Sequence, residues 1–345
     1  MKQKYFMGAS TGCGFKTEFY NEHKDYYGYF IKGGPGTGKS TMMKRIAEDF
    51  SKENISVYSC SSDPDSVDAI VFEDKRIFFA DATPPHESNP KLPFVTGEII
   101  DLATGLDASK LNDVKEEAVY LNNQNKACHN TASKYLSIIG DIQGKIMEIG
   151  KEHINTEKTK KVFWDLYDEY FEGNISKTGK SVCRQRIAYT PHGKKCFFPD
   201  NCRIIVLKDD FLYSGFYILN KIKEKASSDG FYIEETKTMT QNLFAENMLC
   251  FPEINFAVCA EQNLPAELIK TAQIINLDEV YDKEMQKDVK AFADYQLKVI
   301  KEMEEKTVSV LFDALKIHDD LEKLYIDAID KEWLNNKFFE IKNKI

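Results

Sequence analysis

The sequence predicts an α/β protein built twice from one unit, each a parallel sheet with crossover helices followed by a helical segment. Three observations predict it. Short apolar runs bounded by turn residues alternate with stretches of helical spacing. The same succession of features returns in the second half of the chain. A glycine-rich string, Gly33-Gly-Pro-Gly-Thr-Gly-Lys-Ser-Thr41, lies between a strand-like run and a helix-like one.

From Gly33 to Ser40 that string reads G-x-x-x-x-G-K-S, the phosphate-binding loop pattern. Before it, Tyr29 to Ile31 read as a short buried strand, and after it Met42 to Phe50 carry apolar residues at helical spacing. A glycine turn opening a basic helix is the alternative, and the flanks favour the nucleotide reading. Gly33, Gly34, Gly36 and Gly38, with Pro35, Thr37 and Thr41, would let backbone amides cradle a polyphosphate at the helix N-terminus. Lys39 would reach the β and γ phosphates of ATP, and the Ser40 hydroxyl would hold Mg2+. The predicted class is therefore a duplicated P-loop NTPase.

After the loop helix, Ile55 to Cys60 read as a second strand. The polar string Ser61 to Asp68 follows; its aspartates 63, 65 and 68 could reach magnesium or a substrate hydroxyl, or simply cap a following helix, and only Asp63 and Asp65 are kept, as second-rank site residues. Ile77 to Ala80 form a third apolar run ending on Asp81, where phosphate-loop enzymes place an acid that orients magnesium. The proline-stiffened turn Thr83-Pro-Pro-His86 lies just beyond, at the strand end where α/β folds put their ligands. His86 could orient the attacking water or accept its proton, and Glu87 and Glu98 are weaker candidates for that base.

The repeat is read from matched positions. Ala9, Thr11 and Gly14 recur as Ala188, Thr190 and Gly193, and Ile99-Ile-Asp-Leu102 as Ile274-Ile-Asn-Leu277. Asp113 and Tyr120 recur as Asp288 and Tyr295. The expected division is residues 1–178, a nucleotide domain with a helical attachment, and 179–345, a degenerate repeat with long C-terminal helices, joined across 173–180. In the second copy the Lys39 position falls on Gly215 and that of Asp81 on Ala260, so no nucleotide is expected there. Arg184 and Arg186 are candidates for an arginine finger supplied to the first copy, or for surface ion pairs. The helical stretches, 112–172 and 283–344, read as a lid, a brace between the halves, a partner surface or plain core.

Composition limits the partners. With 46 basic and 55 acidic residues and a formal charge of −9, a broad nucleic-acid footprint is not expected. The first residues lack the apolar run of a secretory leader and no stretch approaches bilayer length, so the expectation is a cytoplasmic protein with no membrane span. The eight cysteines contain no C-x-x-C pair and read as reduced thiols.

The loop Gly33 to Thr41, the segment Cys60 to Asp68 and the string Asp81-Ala-Thr-Pro-Pro-His86 together resemble a poorly characterised bacterial family of ATPase-like proteins with tandem P-loop domains. The duplication covers nearly the whole chain and looks like the same arrangement, and the resemblance implies ATP binding and hydrolysis, with no defined substrate. In such relatives the second copy can also retain a phosphate loop, and its loss here is a departure. Three functions follow: an ATPase whose nucleotide state moves the helical parts for a protein partner, a kinase acting on a small molecule, or a nucleotide-dependent scaffold. The first is favoured because duplication and large helical attachments suit a switch. No N-K-x-D or T-K-x-D string appears, which disfavours guanine specificity.

Overall fold

The computed structural model describes residues 3–174, 178–237, 239–240, 246–260, 270–282 and 287–345. Parts of the expected junction (175–177) and of the C-terminal helical stretch (283–286) therefore lie outside the described residues.

The first copy contains β1 (Gln3–Phe6), the hairpin β2 (Ala9–Thr11) and β3 (Gly14–Lys16), α1 (Phe19–Glu22), β4 (Tyr27–Lys32) and α2 (Lys39–Asp49). It continues through β5 (Ile55–Ser59), β6 (Val67–Phe72), β7 (Ile77–Asp81) and β8 (Gly97–Asp101). Six of these strands form one sheet in the order β1-β5-β6-β7-β4-β8. The expected all-parallel sheet is corrected: β6 runs antiparallel to both β5 and β7, while β1–β5, β7–β4 and β4–β8 are parallel. No helix follows the Ser61–Asp68 string. Asp63 instead closes a tight turn, accepting from Ser66 Oγ at 2.5 Å while its carbonyl takes the Ser66 amide at 2.8 Å. The chain thus returns as β6, buried at all six positions. A strand covered on both faces has no period-two alternation, so its residues lack the alternating strand signal.

The second copy repeats this plan. It comprises β9 (Ser181–Cys183), the hairpin β10 (Ile187–Thr190) and β11 (Gly193–Cys196), β12 (Arg203–Lys208) and α6 (Tyr213–Ser228). After them come β13 (Ile233–Lys237), β14 (Glu246–Phe251), β15 (Phe256–Cys259) and β16 (Gln273–Asn276). The sheet order β16-β12-β15-β14-β13-β9 is that of the first copy read from the other edge, with the same parallel and antiparallel pairings. The duplication is therefore real at the level of topology. The matched hairpin residues have a shared physical role: Thr11 Oγ1 donates to Gly14 O at 2.6 Å and Thr190 Oγ1 to Gly193 O at 2.7 Å. Both glycines sit at positive φ, 87° and 105°.

The helical segments are exchanged. The first copy continues into α3 (Ala108–Asp113), α4 (Lys115–His153) and α5 (Thr156–Phe171), the second into α7 (Lys287–Ile326) and α8 (Lys331–Lys342). Phe163, Leu166, Tyr167 and Phe171 of α5 lie in the core of the second sheet with Ile205, Phe231 and Phe256. Phe338 and Ile341 of α8 lie in the core of the first, with Tyr29, Ile46 and Phe79. Matching elbows fix the exchange. Asn155 N donates to Val280 O and Asp282 N to His153 O; in the other half Asp330 N donates to Gly105 O and Asp107 N to Ala328 O. Asn155 and Asp330 cap the helices that follow. These contacts put the start of each long helix beside the end of the other, so α4 and α7 run antiparallel as a central brace. Each sheet is completed by the other copy's arm, and the two halves cannot separate without unmaking both cores.

Arg184 and Arg186 are neither surface ion pairs nor free fingers. They lie in the seam between β1 and β9, 9% and 1% exposed. Arg186 pairs with Glu234 at 2.5 Å and also donates to the Tyr5 hydroxyl at 3.2 Å, while Arg184 Nη1 meets His23 Nε2 at 2.9 Å and the Tyr58 hydroxyl. All eight cysteines are free thiols. No helix among the described residues is long and apolar enough to cross a membrane.

Candidate functional site

The glycine loop leaves the carboxyl end of β4 and enters α2, whose Met42, Met43, Ile46 and Ala47 pack down onto the sheet. Gly38 precedes the helix at φ 85°, a conformation that favours glycine. Strand β7 lies directly beside β4, with Ile31 opposite Asp81. The fold thus brings Asp81 to the loop, and Lys39 Nζ lies 3.6 Å from Asp81 Oδ2. The same ammonium donates to the carbonyls of Gly33 (3.0 Å) and Gly34 (2.8 Å). Asp81 Oδ1 accepts from the Thr83 amide at 2.9 Å and its hydroxyl at 2.5 Å, so that oxygen is fixed and Oδ2 faces the site. Ser40 Oγ accepts from the Val67 amide at 2.9 Å, tying the helix start to β6. Thr37 is fully buried and donates to Gly34 O at 2.8 Å. Thr41 is exposed on α2.

His86 is buried, 7% exposed, with Nε2 3.6 Å from Asp68 Oδ2. Its pKa is lowered, chiefly by burial, with Asp81 opposing and Lys39 assisting. Asp68, on the second position of β6, is 6% exposed, and burial reinforced by Asp81 pushes its pKa up to about 8. Asp68 belongs with Asp81 and His86 in one group, whereas Asp63 is committed to its turn and Asp65 is exposed. The available sequence signal for Asp68 is that it is the lone charge in the run Val67-Asp-Ala-Ile-Val-Phe72. Glu98 lies at the opposite end of its strand from the loop, paired with Lys344 at 2.8 Å. Glu87 is exposed just past His86.

The loop is covered by the other copy's arm. Gly36 N donates to Glu322 Oε1 of α7 at 3.1 Å. A Cβ on Gly34 would meet the Tyr325 ring at 2.3 Å, one on Gly36 the Glu322 carbonyl at 2.6 Å, and one on Gly38 the Leu334 side chain at 2.8 Å. The end of α7 and the start of α8 therefore sit on the glycines of the loop, with a carboxylate on a loop amide. The glycines serve this close packing in the structure seen here. Glu322 is 39% exposed and has its pKa lowered, first by its hydrogen bond with His318 and, further down, by the Gly36 amide and Lys39.

The second copy differs in detail from the expected correspondence. Its loop spans residues 209–212 against 33–38, two residues fewer, so the helix starts align Tyr213 with Lys39 and Ser214 with Ser40. Gly215 is not the counterpart of Lys39. The pairing of Val206 with Cys259 keeps Ala260 at the Asp81 position. Asp209, 2% exposed, fills the helix N-terminus: its carboxylate accepts from Ser214 Oγ (2.7 Å), Gly215 N (2.9 Å), Phe211 N (2.9 Å) and the Tyr281 hydroxyl (2.9 Å). From α4, Gly150 lies against Phe211 and Tyr213, the counterpart of α7 on the first loop.

Comparison with protein-family models, curated proteins and solved structures returned no match.

Proposed function

We propose that the first copy binds ATP with magnesium through Gly33 to Thr41, and that binding and hydrolysis displace the α7–α8 elbow, a movement read by a protein partner. The observation that supports this most is the placement of Lys39 between the loop carbonyls and Asp81, on neighbouring parallel strands, under a cover supplied by the other copy. Lys39 would turn from the Gly33 and Gly34 carbonyls to the β and γ phosphates. Ser40 and Asp81 would hold the magnesium, which would neutralise phosphate charge. His86, set back against Asp68, would act on the γ-phosphate side through Asp81 and the turn that carries them both.

The elbow gives the reading its direction. Glu322 on the Gly36 amide uses the loop's affinity for anions, so the cover and a polyphosphate compete for one place. A ligand that binds only the uncovered form shifts the population toward it. Because α7 also braces α4 and leads into α8, movement at the loop would be transmitted to both copies.

The test uses Trp333, which packs on Gly105 beside the elbow, as a reporter in a Trp164→Phe background. ATP with magnesium should change its emission saturably and release phosphate, and Lys39→Ala should abolish both. Saturable binding without release above the Lys39→Ala level would select the scaffold reading instead. No emission change and no binding by calorimetry would sink both.

A further inference from the structure

The geometry points to a binding site for one divalent transition-metal cation, zinc or manganese, formed by Asp68, Asp81 and His86. Each offers a ligand atom, and these atoms all lie within 4.8 Å of one another. Bonds of about 2.0–2.2 Å around one metal put ligand atoms within such distances of each other. The group is set on rigid supports: Asp68 on β6 in the middle of the sheet, Asp81 at the end of β7, and His86 in the turn that Lys32 holds through the Ala82 and Ser88 carbonyls.

The second observation is the imidazole itself. His86 makes no side-chain hydrogen bond among the described residues: Nδ1 is buried without a partner, and Nε2 faces Asp68 across 3.6 Å, beyond hydrogen-bond reach. The ring is buried with Nδ1 unpartnered, and its Nε2, turned to Asp68, is hydrogen-bonded to neither carboxylate, an arrangement that is costly unless something sits between these groups. The neighbouring cation, Lys39, is engaged with two carbonyls and lies 3.6 Å from Asp81 alone. A divalent ion would bridge all three groups at once. The surroundings hold the ligands in place: Thr83 fixes Asp81 Oδ1, the Phe15 ring meets the imidazole edge-on at 5.0 Å, and the Cys60 thiol lies beside Asp68.

The donor set selects the metal. Magnesium and calcium favour all-oxygen shells, whereas an imidazole with two carboxylates suits manganese or zinc. This site shares Asp81 with the magnesium position proposed above but takes neither Ser40 nor a nucleotide, so it stands or falls by itself.

Full-length protein, stripped with a chelator and without nucleotide, is titrated with Mn2+ by electron paramagnetic resonance and with Zn2+ by calorimetry. One saturable site per chain is expected, with nitrogen coupling to manganese, and equimolar Mg2+ should not displace it. Asp68→Asn and His86→Gln should each weaken binding about tenfold or more, and His86→Gln should remove the nitrogen coupling. Lys39→Ala should retain metal while losing ATP, which separates failure of this site from failure of the nucleotide reading. Circular dichroism and metal-free melting accompany each variant. If a variant does not fold, the wild-type spectrum decides: nitrogen coupling at one site supports the proposal, and its absence overturns it. Absence of a saturable site, or unchanged affinity in folded His86→Gln, overturns it too.

Discussion

The two loops answer one physical problem in opposite ways. Each ends a strand, opens a helix and leaves backbone amides that want an anion. In the second copy the anion is Asp209, carried within the loop, sealed from solvent and fully bonded. In the first it is Glu322, borne by the other copy's arm, 39% exposed and joined to the loop by one amide. An internal, saturated carboxylate leaves nothing to exchange. One on a separate helix can leave. The two copies thus meet equivalent loop amides with a carboxylate, one internal to the loop and one carried by the other copy's arm.

Four substitutions and a change of pH would break or sharpen that contrast, taken from the largest expected effect. Lys39→Ala should lower ATP affinity and phosphate release by about 10²-fold or more, the scale of losing one charged donor from a preorganised phosphate site, measured by calorimetry and release assay. The same assays on a Tyr213→Lys variant should show no second nucleotide site, since Asp209 still holds the helix start. Asp209→Ala should destabilise the fold by about 3 kcal/mol, because it strands buried donors from Ser214, Gly215, Phe211 and Tyr281, read by chemical denaturation.

Glu322→Ala should cost less than about 1 kcal/mol, since the carboxylate is partly exposed, and should tighten ATP binding a few-fold by removing the competing anion. The smallest effect is that of pH, and its sign differs between the loops. Glu322 has a lowered pKa, so its contribution is present above the ordinary glutamate value and fades as pH falls through the folded one. Asp209 has a raised pKa, from burial that outweighs its hydrogen bonds, so its contribution fades as pH rises through the folded value. Acid should thus loosen the first loop's cover, seen in Trp333 emission. Melting of Asp209→Asn against wild type should isolate the second effect.

Much of the site was legible because it is local. Gly33 to Ser40, the strand before them and the helix after them are contiguous, and Asp81 ends an apolar run that announces itself. The repeat was legible for a similar reason: Thr11 with Gly14 and Thr190 with Gly193 each make one turn within four residues. Where reading along the chain went astray, the cause was a tertiary one. The six residues of β6 show no periodicity because both faces are covered, and their antiparallel course turned a parallel sheet into a mixed one. The two-residue shortening of the second loop moved Tyr213 into the place given to Gly215.

By itself the sequence determined the duplication, the glycine loop and the acid that meets it, since each rests on residues close in the chain whose backbone needs are specific. Only the tertiary structure decided that the helical arms cross to the opposite copy, that Asp68 joins Asp81 and His86, and that Glu322 reaches Gly36 from 286 residues away. Such contacts depend on how whole elements pack, and a carboxylate on a long amphipathic helix carries no local mark of the amide it will meet.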